Sequence, residues 1–459
     1  MVRSLTPRAA LAALLTLATV VAAEARDWTR FRGPNGAGVS LDEAPPVEWS
    51  DTKNLAWKVD LPGPGSSCPI VVGDKLFVTC WTGYGLSREE PGDQSDLKRS
   101  LLCFNRETGD ELWRVEVDAK LPEDEFGGMF AEHGYASHTP VSDGERVYVY
   151  FGKTGALAYD MEGNELWRTD CGDGSGIRGW GSASSPVLSG DLVICAATAE
   201  SRSLIALNKK TGKEVWRHTE DGWDGVWGSP VLVEANGRTE LVFAVPFKVL
   251  ALDLATGDEL WSCRGVDNDS VSTSLLAHDD VVYILAGRGG SLAVRAGGDG
   301  EVDDTNVLWR AELQGSIATP VFFDGRLYGV GRAGVNCYDA ATGDRVYQER
   351  FVNADAPAPE EAAPEEAPEG RRGRRGRGGF GSMPYSSPVV VGDLFCHFGR
   401  DGVAHVVRLG EEYDQVARNV LTDGGDFSAT PALSEGAMYV RSSKCLYCIR
   451  STGESVAAR

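Results

Sequence analysis

Positive charge is in short supply in this sequence. Its 459 residues carry 45 Lys and Arg against 67 Asp and Glu, a net charge of −22. A general nucleic-acid binder needs a basic face to displace phosphate counterions, so that class is excluded. Long hydrophobic runs are missing as well. After the first 25 residues no segment approaches the 18 apolar residues expected of a membrane-spanning helix. There is no G-x-S-x-G, no H-E-x-x-H and no phosphate loop. The "GPNGAG" stretch at 33–38 lacks the Lys and the following helix that such a loop requires, and it reads as a turn-rich segment. His is rare too, with six in all. His133 and His138, beside Glu132, have no third ligand at a fixed spacing, so no metal site is expected there.

The first residues do carry an apolar run. Arg3 and Arg8 precede or flank it, it extends over 9–23, and Ala23-Glu24-Ala25 fits a small-residue cleavage site. The expectation is a secretory signal peptide over 1–25, cut after Ala25, and a periplasmic or secreted mature protein. Export would permit disulfides among the ten cysteines.

What dominates the remainder is repetition. "ALDLATGDELW" ends at Trp261, and near copies end at Trp113, Trp216 and Tyr347. Each unit opens with Ser or Thr before an apolar stretch, usually at a Pro. A turn, a β-rich strand, a strand with a small central residue, a Thr-Gly turn and a strand ending near Trp then follow. Eight openings align at Pro69, Pro140, Pro186, Pro230, Ser274, Pro320, Pro388 and Pro431. Five of the seven spacings are 43 to 46 residues, and the two longer ones, 71 and 68, hold insertions. Four strands per unit, eight times over, predict an all-β, eight-bladed β-propeller of four-stranded antiparallel blades. Trp57, Trp113, Trp167, Trp216, Trp261 and Trp309 are expected to pack between neighbouring blades. Residues 55–61 look like a fourth strand with no first three, while the last unit lacks a clear fourth. They should therefore complete the last blade and close the ring from the N-terminal side. Cys103, Cys337 and Cys448 occupy the small-residue position of the third strand, where other units have Ala, and read as small hydrophobes. Cys445 and Cys448 lie in a strand, which disfavours a redox role, whereas a disulfide involving Cys68 or Cys171 stays open.

Ala251-x-Asp253-x-x-Thr256-Gly257-Asp258-x-x-Trp261 resembles the tryptophan-docking pattern of the pyrroloquinoline-quinone-type propeller repeat. The likeness covers roughly residues 54–456. That family includes quinone-dependent alcohol dehydrogenases, which bind the quinone and Ca²⁺ in the central funnel, and BamB-type outer-membrane assembly factors, which are non-catalytic. The leading "DWTRFRGPNGAGVS" (27–40) is similar to a segment of exported relatives common in planctomycete-like bacteria. The resemblance implies, for a catalytic member, two adjacent cysteines and a set of Ca²⁺ ligands. No two cysteines here are adjacent, no C-x-x-C-H haem motif is present, and the pattern around Asn268 and Asp269 is not the family's.

These observations divide the chain into a signal peptide (1–25), a leading segment (26–53) and a propeller (54–459) with a low-complexity, disordered insertion at 354–381. Two further inserts, at 86–97 and 118–130, interrupt or follow the first unit. The loops before the first strands are rich in Trp, Tyr, Ser and Gly and should open onto one face as a ligand funnel. The candidate mouth residues are Tyr135, His138, Arg178 and Trp180 from the first loops, and Trp223, Trp227, Tyr385 and Phe427 from the later ones. The expected function is a non-catalytic, exported binding or assembly scaffold of the cell envelope. It would be a monomer, without a cofactor of its own, and its partner would be a protein or polymer. A quinone-dependent dehydrogenase using the quinone and calcium is the alternative, and a polysaccharide-binding propeller a third reading.

Overall fold

A computed structural model describes residues 27–331, 334–352 and 383–452. The expected signal peptide at 1–25 and the insertion at 354–381 lie outside the described residues. Eight sheets stand around a common axis. Blades 1 to 7 span 70–118, 141–169, 187–219, 231–264, 276–311, 321–350 and 389–420. Blade 8 is built from 432–449 and closed by Leu55–Asp60, which pairs antiparallel with Cys445–Ile449. The strand lent from the front of the chain thus completes the last sheet. Two blades exceed four strands. Val39–Ser40 runs parallel to the innermost strand of blade 7, and Gly300–Glu301 runs parallel to the outermost strand of blade 4.

The repeated stretch typified by ALDLATGDELW is explained at the outer strands. In every blade the ladder between third and fourth strand skips one residue, as where Ala158 pairs with Trp167 and Tyr159 with Glu165. The skipped residue is the one before the aromatic, or before Ala417 in blade 7, and in five blades its side chain points outward: Leu112, Leu166, Val215, Leu308 and Val346 are all exposed. A bulge of this kind re-aims the next side chain. Here it lays the indole against the neighbouring blade. Trp216 of blade 3 donates its indole N–H to the Leu254 carbonyl of blade 4 at 2.8 Å, and its ring lies against Gly257. Trp57, Trp113, Trp167 and Trp309 repeat this, donating to Arg106, Met161, Lys209 and Ala340 over Gly109, Gly163, Gly212 and Gly343. The Gly of each of these five turns is therefore required twice, for its positive φ and for the absent Cβ. Trp261 departs from the pattern because blade 5 has a longer loop in place of the Thr-Gly turn. Its indole is fully buried and donates to the Glu240 carboxylate at 2.7 Å.

Across the ladder each of these rings faces a small residue. Cys103 pairs with Trp113, Cys448 with Trp57 and Cys337 with Tyr347, where other blades have Ala206 or Ala293. All ten cysteines are buried and free.

The inner ends of the blades are joined by a second device. The backbone N–H of the residue before each first-strand opening donates to the side chain of its counterpart in the next blade. Cys68 N donates to Thr139 Oγ1 at 2.9 Å, Thr139 N to Ser185 Oγ at 3.0 Å, and Ser185 N to Ser229 Oγ at 2.9 Å. Ser229 N continues to Ser274 Oγ at 2.9 Å, and Ser274 N to Thr319 Oγ1 at 3.3 Å. Thr319 N donates to Ser387 Oγ at 3.0 Å and Ser387 N to Thr430 Oγ1 at 2.9 Å. Thr430 N donates to Cys68 Sγ at 3.2 Å, which closes the circle. This corrects the sequence alignment by one residue in blade 5: Ser274 is the hydroxyl of the ring, and Leu275 stands where other blades have Pro.

Gly257 and Gly237 have nearly the same backbone, φ +75° and +76°, but a Cβ on Gly257 would sit 2.6 Å from Trp216 while one on Gly237 meets nothing within 4 Å. Gly237→Ala should cost about 1 kcal/mol for the left-handed backbone alone. Gly257→Ala should cost a further 1–3 kcal/mol or so for displacing the indole. Denaturant unfolding of the two variants checks the difference.

Candidate functional site

The eight hydroxyl or thiol side chains of the ring line the floor of a central cavity of about 760 Å³. The floor is sealed from below by the leading segment, which sequence reasoning took only for a run of turns. Trp28 exchanges two backbone hydrogen bonds with Val71 of blade 1. Arg32 is buried and donates to the Thr319 and Pro320 carbonyls of blade 6 at 3.0 and 2.5 Å. Burial lowers its pKa to about 9. Val390 N of blade 7 then bonds to the Gly38 carbonyl at 2.8 Å. The segment therefore crosses the axis from blades 1 and 2 to blades 6 and 7, and Phe31 lines the bottom of the cavity. The signal for this was present in the density of Gly and Arg, but its partners lie up to 288 residues away.

Arg178, Trp180, Trp227 and Tyr385 line the cavity, as a sequence-based mouth requires. Trp180 and Trp227 are half-buried, with ring centroids 5.7 Å apart and planes at 41°. Arg178 sits over Trp180 at 5.2 Å and reaches across blade 4's loop to Asp269 at 2.6 Å. Its φ of 59° is left-handed, a conformation held by the glycine-rich loop around it. On the opposite lip Arg400 lies over Tyr385 at 4.9 Å and pairs with Glu132 at 2.9 Å and Asp426 at 2.5 Å.

The other four candidates are not on the cavity wall, which corrects the sequence reading. Tyr135 is buried among Trp81, Phe126 and Phe130, and its hydroxyl donates to the Asp124 carbonyl at 2.5 Å. It fastens the insert at 118–130. Trp223 is buried between His218 and Phe243, at the junction of blades 3 and 4. Phe427 is packed between Phe398 and Tyr447 of blades 7 and 8. An aromatic in a loop is equally useful to a mouth and to a seam, and its type alone does not say which it serves.

His138 belongs to a buried polar cluster behind the wall. Its Nε2 lies 3.1 Å from Ser182 Oγ, and that hydroxyl donates to Glu200 at 2.5 Å. The insert supplies Glu123, paired with Arg99 at 2.8 Å, and Asp124, paired with Lys153 at 2.9 Å. Burial raises Glu200 to about 7 and lowers His138 to about 3. The Glu132, His133 and His138 group does not converge on one point. Glu132 pairs with Arg88 and Arg400, and His133 Nε2 meets the Trp180 carbonyl at 2.9 Å. Elsewhere among the described residues His218, Glu220 and Glu259 come together. Lys248, 2.7 Å from Glu259 and 3.5 Å from Glu220, already supplies the cation there.

A family model described as outer membrane protein assembly factor BamB matches residues 98–349. Among solved structures, BamB from Moraxella catarrhalis aligns with a TM-score of 0.56 and 13% identity, over 86% of this chain and 98% of that one. A europium-containing methanol dehydrogenase aligns with a TM-score of 0.62 and 12% identity, over 93% and 98%. The quinohemoprotein alcohol dehydrogenase from Comamonas testosteroni gives 0.62 and 11%, over 93% and 80%. At these identities the likeness shows the fold and not the chemistry. No curated protein matches the sequence.

The buried cluster gives a pH test. Glu200 is protonated more readily in the folded protein, with a pKa of about 7, than in the unfolded chain, so its stabilising effect is present below pH 4.5 and is lost as pH rises through 7. His138 acts in the opposite direction, its contribution being lost as pH falls from 6.5 towards 3. In Glu200→Gln the first effect is abolished. The variant's urea midpoint, relative to the parent's, should therefore rise between pH 5 and pH 8, and a constant offset would contradict the assignment.

Proposed function

The chain belongs to the outer membrane protein assembly factor BamB family, and from that premise we propose that it is a non-catalytic scaffold of the cell envelope, exported and monomeric, that receives its partner at the open mouth of the propeller. The observation that carries this reading is the composition of the cavity wall. Among the described residues a single carboxylate lines it, Asp269, and that one is held by Arg178. The one imidazole, His133, has both ring nitrogens against protein partners and a pKa lowered by burial. Each group is thus already engaged by a protein partner.

The dehydrogenases of the same fold raise the question of a quinone with Ca²⁺. Calcium takes six to eight oxygen ligands, several of them carboxylates. One engaged carboxylate does not supply that set. Among the described residues Cys68 is the only cysteine on the wall. The residues do not fit the pair. The net charge of −22 speaks against a nucleic acid as partner. No helix among the described residues is long and apolar enough to cross a membrane. The export signal expected at 1–25 would account for an envelope location.

Two measurements test the proposal. Purified protein given pyrroloquinoline quinone and Ca²⁺ should reduce no dye in the presence of alcohols or sugars, and quinone-dependent turnover would overturn the reading. A photo-cross-linking residue placed at Arg288, exposed on the cavity wall, should form adducts in intact envelopes. The same residue at Lys213, on the outer edge of blade 3, should not, and the reverse pattern would contradict a mouth-facing partner.

A further inference from the structure

We propose that the cup takes the free end of an uncharged glycan chain. This rests on the binding reading above and gives its mouth a ligand class.

The first argument is the chemistry of the lining. Around the floor stand hydroxyls that each accept a neighbour's backbone N–H, as Ser229 and Ser274 do, and so keep their own hydrogen to donate. Higher on the wall are the amides of Asn268 and Gln314. Dense, neutral donors and acceptors of this kind match a ligand that is itself mostly hydroxyl. The second argument is the indole pair. Trp180 and Trp227 are a tilted pair, with centroids 5.7 Å apart and planes at 41°, and both half-buried indoles line the cavity beside Arg178. A pyranose ring has an apolar C–H face and a polar rim, and it needs such a platform beside such hydroxyls.

The third argument is the lip. Arg178 and Asp269 are both about half exposed and neutralise each other, and Arg288 is the one further charge exposed on the wall among the described residues, a guanidinium that can also donate to hydroxyls. At the Arg178–Asp269 pair an anion would compete with Asp269 for its guanidinium, and a cation would compete with Arg178 for its carboxylate. Vicinal hydroxyls can use donor and acceptor at once without breaking the pair. The chain's net charge of −22 adds a repulsive field against acidic polymers.

Peptide is the competing occupant. A bound peptide strand usually adds to a free sheet edge. At the axis the inner edge of blade 1 is taken by Trp28 and that of blade 7 by Val39–Ser40. Because Phe31 and Arg32 close the channel below, a polymer cannot thread through. A chain end is what the cup can receive, and 760 Å³ lies in the size range of small-molecule pockets.

The test is a titration of the full mature chain with maltotriose, cellotriose, xylotriose and mannotriose, each to about 10 mM, read by tryptophan fluorescence and calorimetry. At least one should bind. Trp180→Ala and Trp227→Ala should each weaken that sugar about tenfold or more, with Trp180→Phe retaining most of the affinity and all three keeping the parent's unfolding midpoint. α-Cyclodextrin, a ring with no chain end, should not bind. The proposal is overturned if none of the trisaccharides binds, if binding survives both alanine changes, or if cyclodextrin binds as well as maltotriose. Envelope adducts at the Arg288 position in a protein that binds no sugar would sink the glycan and leave the scaffold reading standing.

Discussion

Eight hydrogen bonds running head to tail around the axis, each from a backbone amide to the side chain of the next blade, hold the centre of this molecule together. The position suits them. The residue before a proline is confined to extended backbone, so its N–H has a fixed direction. The next residue has no N–H to leave unsatisfied. A Ser or Thr there can accept from one neighbour while its own amide donates to the other. Seven of the eight acceptors are hydroxyls, and the last is the Cys68 thiol, whose pKa burial raises. A buried amide left without its acceptor costs about 1–3 kcal/mol. The circle resists the loss of any one member for that reason.

A second set of contacts lies at the rim. There a bulge turns five indoles, those of Trp57, Trp113, Trp167, Trp216 and Trp309, onto a glycine of the adjacent blade. An aromatic of this size buries on the order of 150–250 Å². The inner ring sets direction and register, and the outer contacts add apolar burial between neighbouring blades. An open repeat array needs caps at its ends. This one has no ends, because Leu55–Asp60 occupies the gap that blade 8 leaves. The leading segment adds a clasp. Trp49 stacks on Phe398 of blade 7, and both its amide and the Val47 carbonyl are held by Asn419. The same segment makes the cup blind, so closure of the fold and shape of the site have one cause.

Much of this was legible in the residues. The units, their number, the Trp positions, the closing strand and the small residue opposite each ring follow from local patterns that repeat, and repetition averages out local noise. The slip at Ser274 arose where Leu275 replaces the proline that marks the register elsewhere. The exception at Trp261 arose where blade 5 lacks the Thr-Gly turn. The site was legible in part. Trp180 and Trp227 reach the wall while Trp223, only four residues before Trp227, is turned into a seam. Which way a loop aromatic turns depends on neighbours such as His218 and Phe243, brought there by other blades. The floor was not legible, since Arg32 finds its acceptors in blade 6 through the closed ring alone.

Native-state hydrogen exchange at the ring amides tests the central claim most directly. If the circle acts as one unit, the amides of Cys68, Thr139, Ser185, Ser229, Ser274, Thr319, Ser387 and Thr430 should exchange together, only through global unfolding, and with the same denaturant dependence. Exchange of one or several of these amides orders of magnitude faster than the others, through local opening, would show that the blades are held independently and would contradict the account.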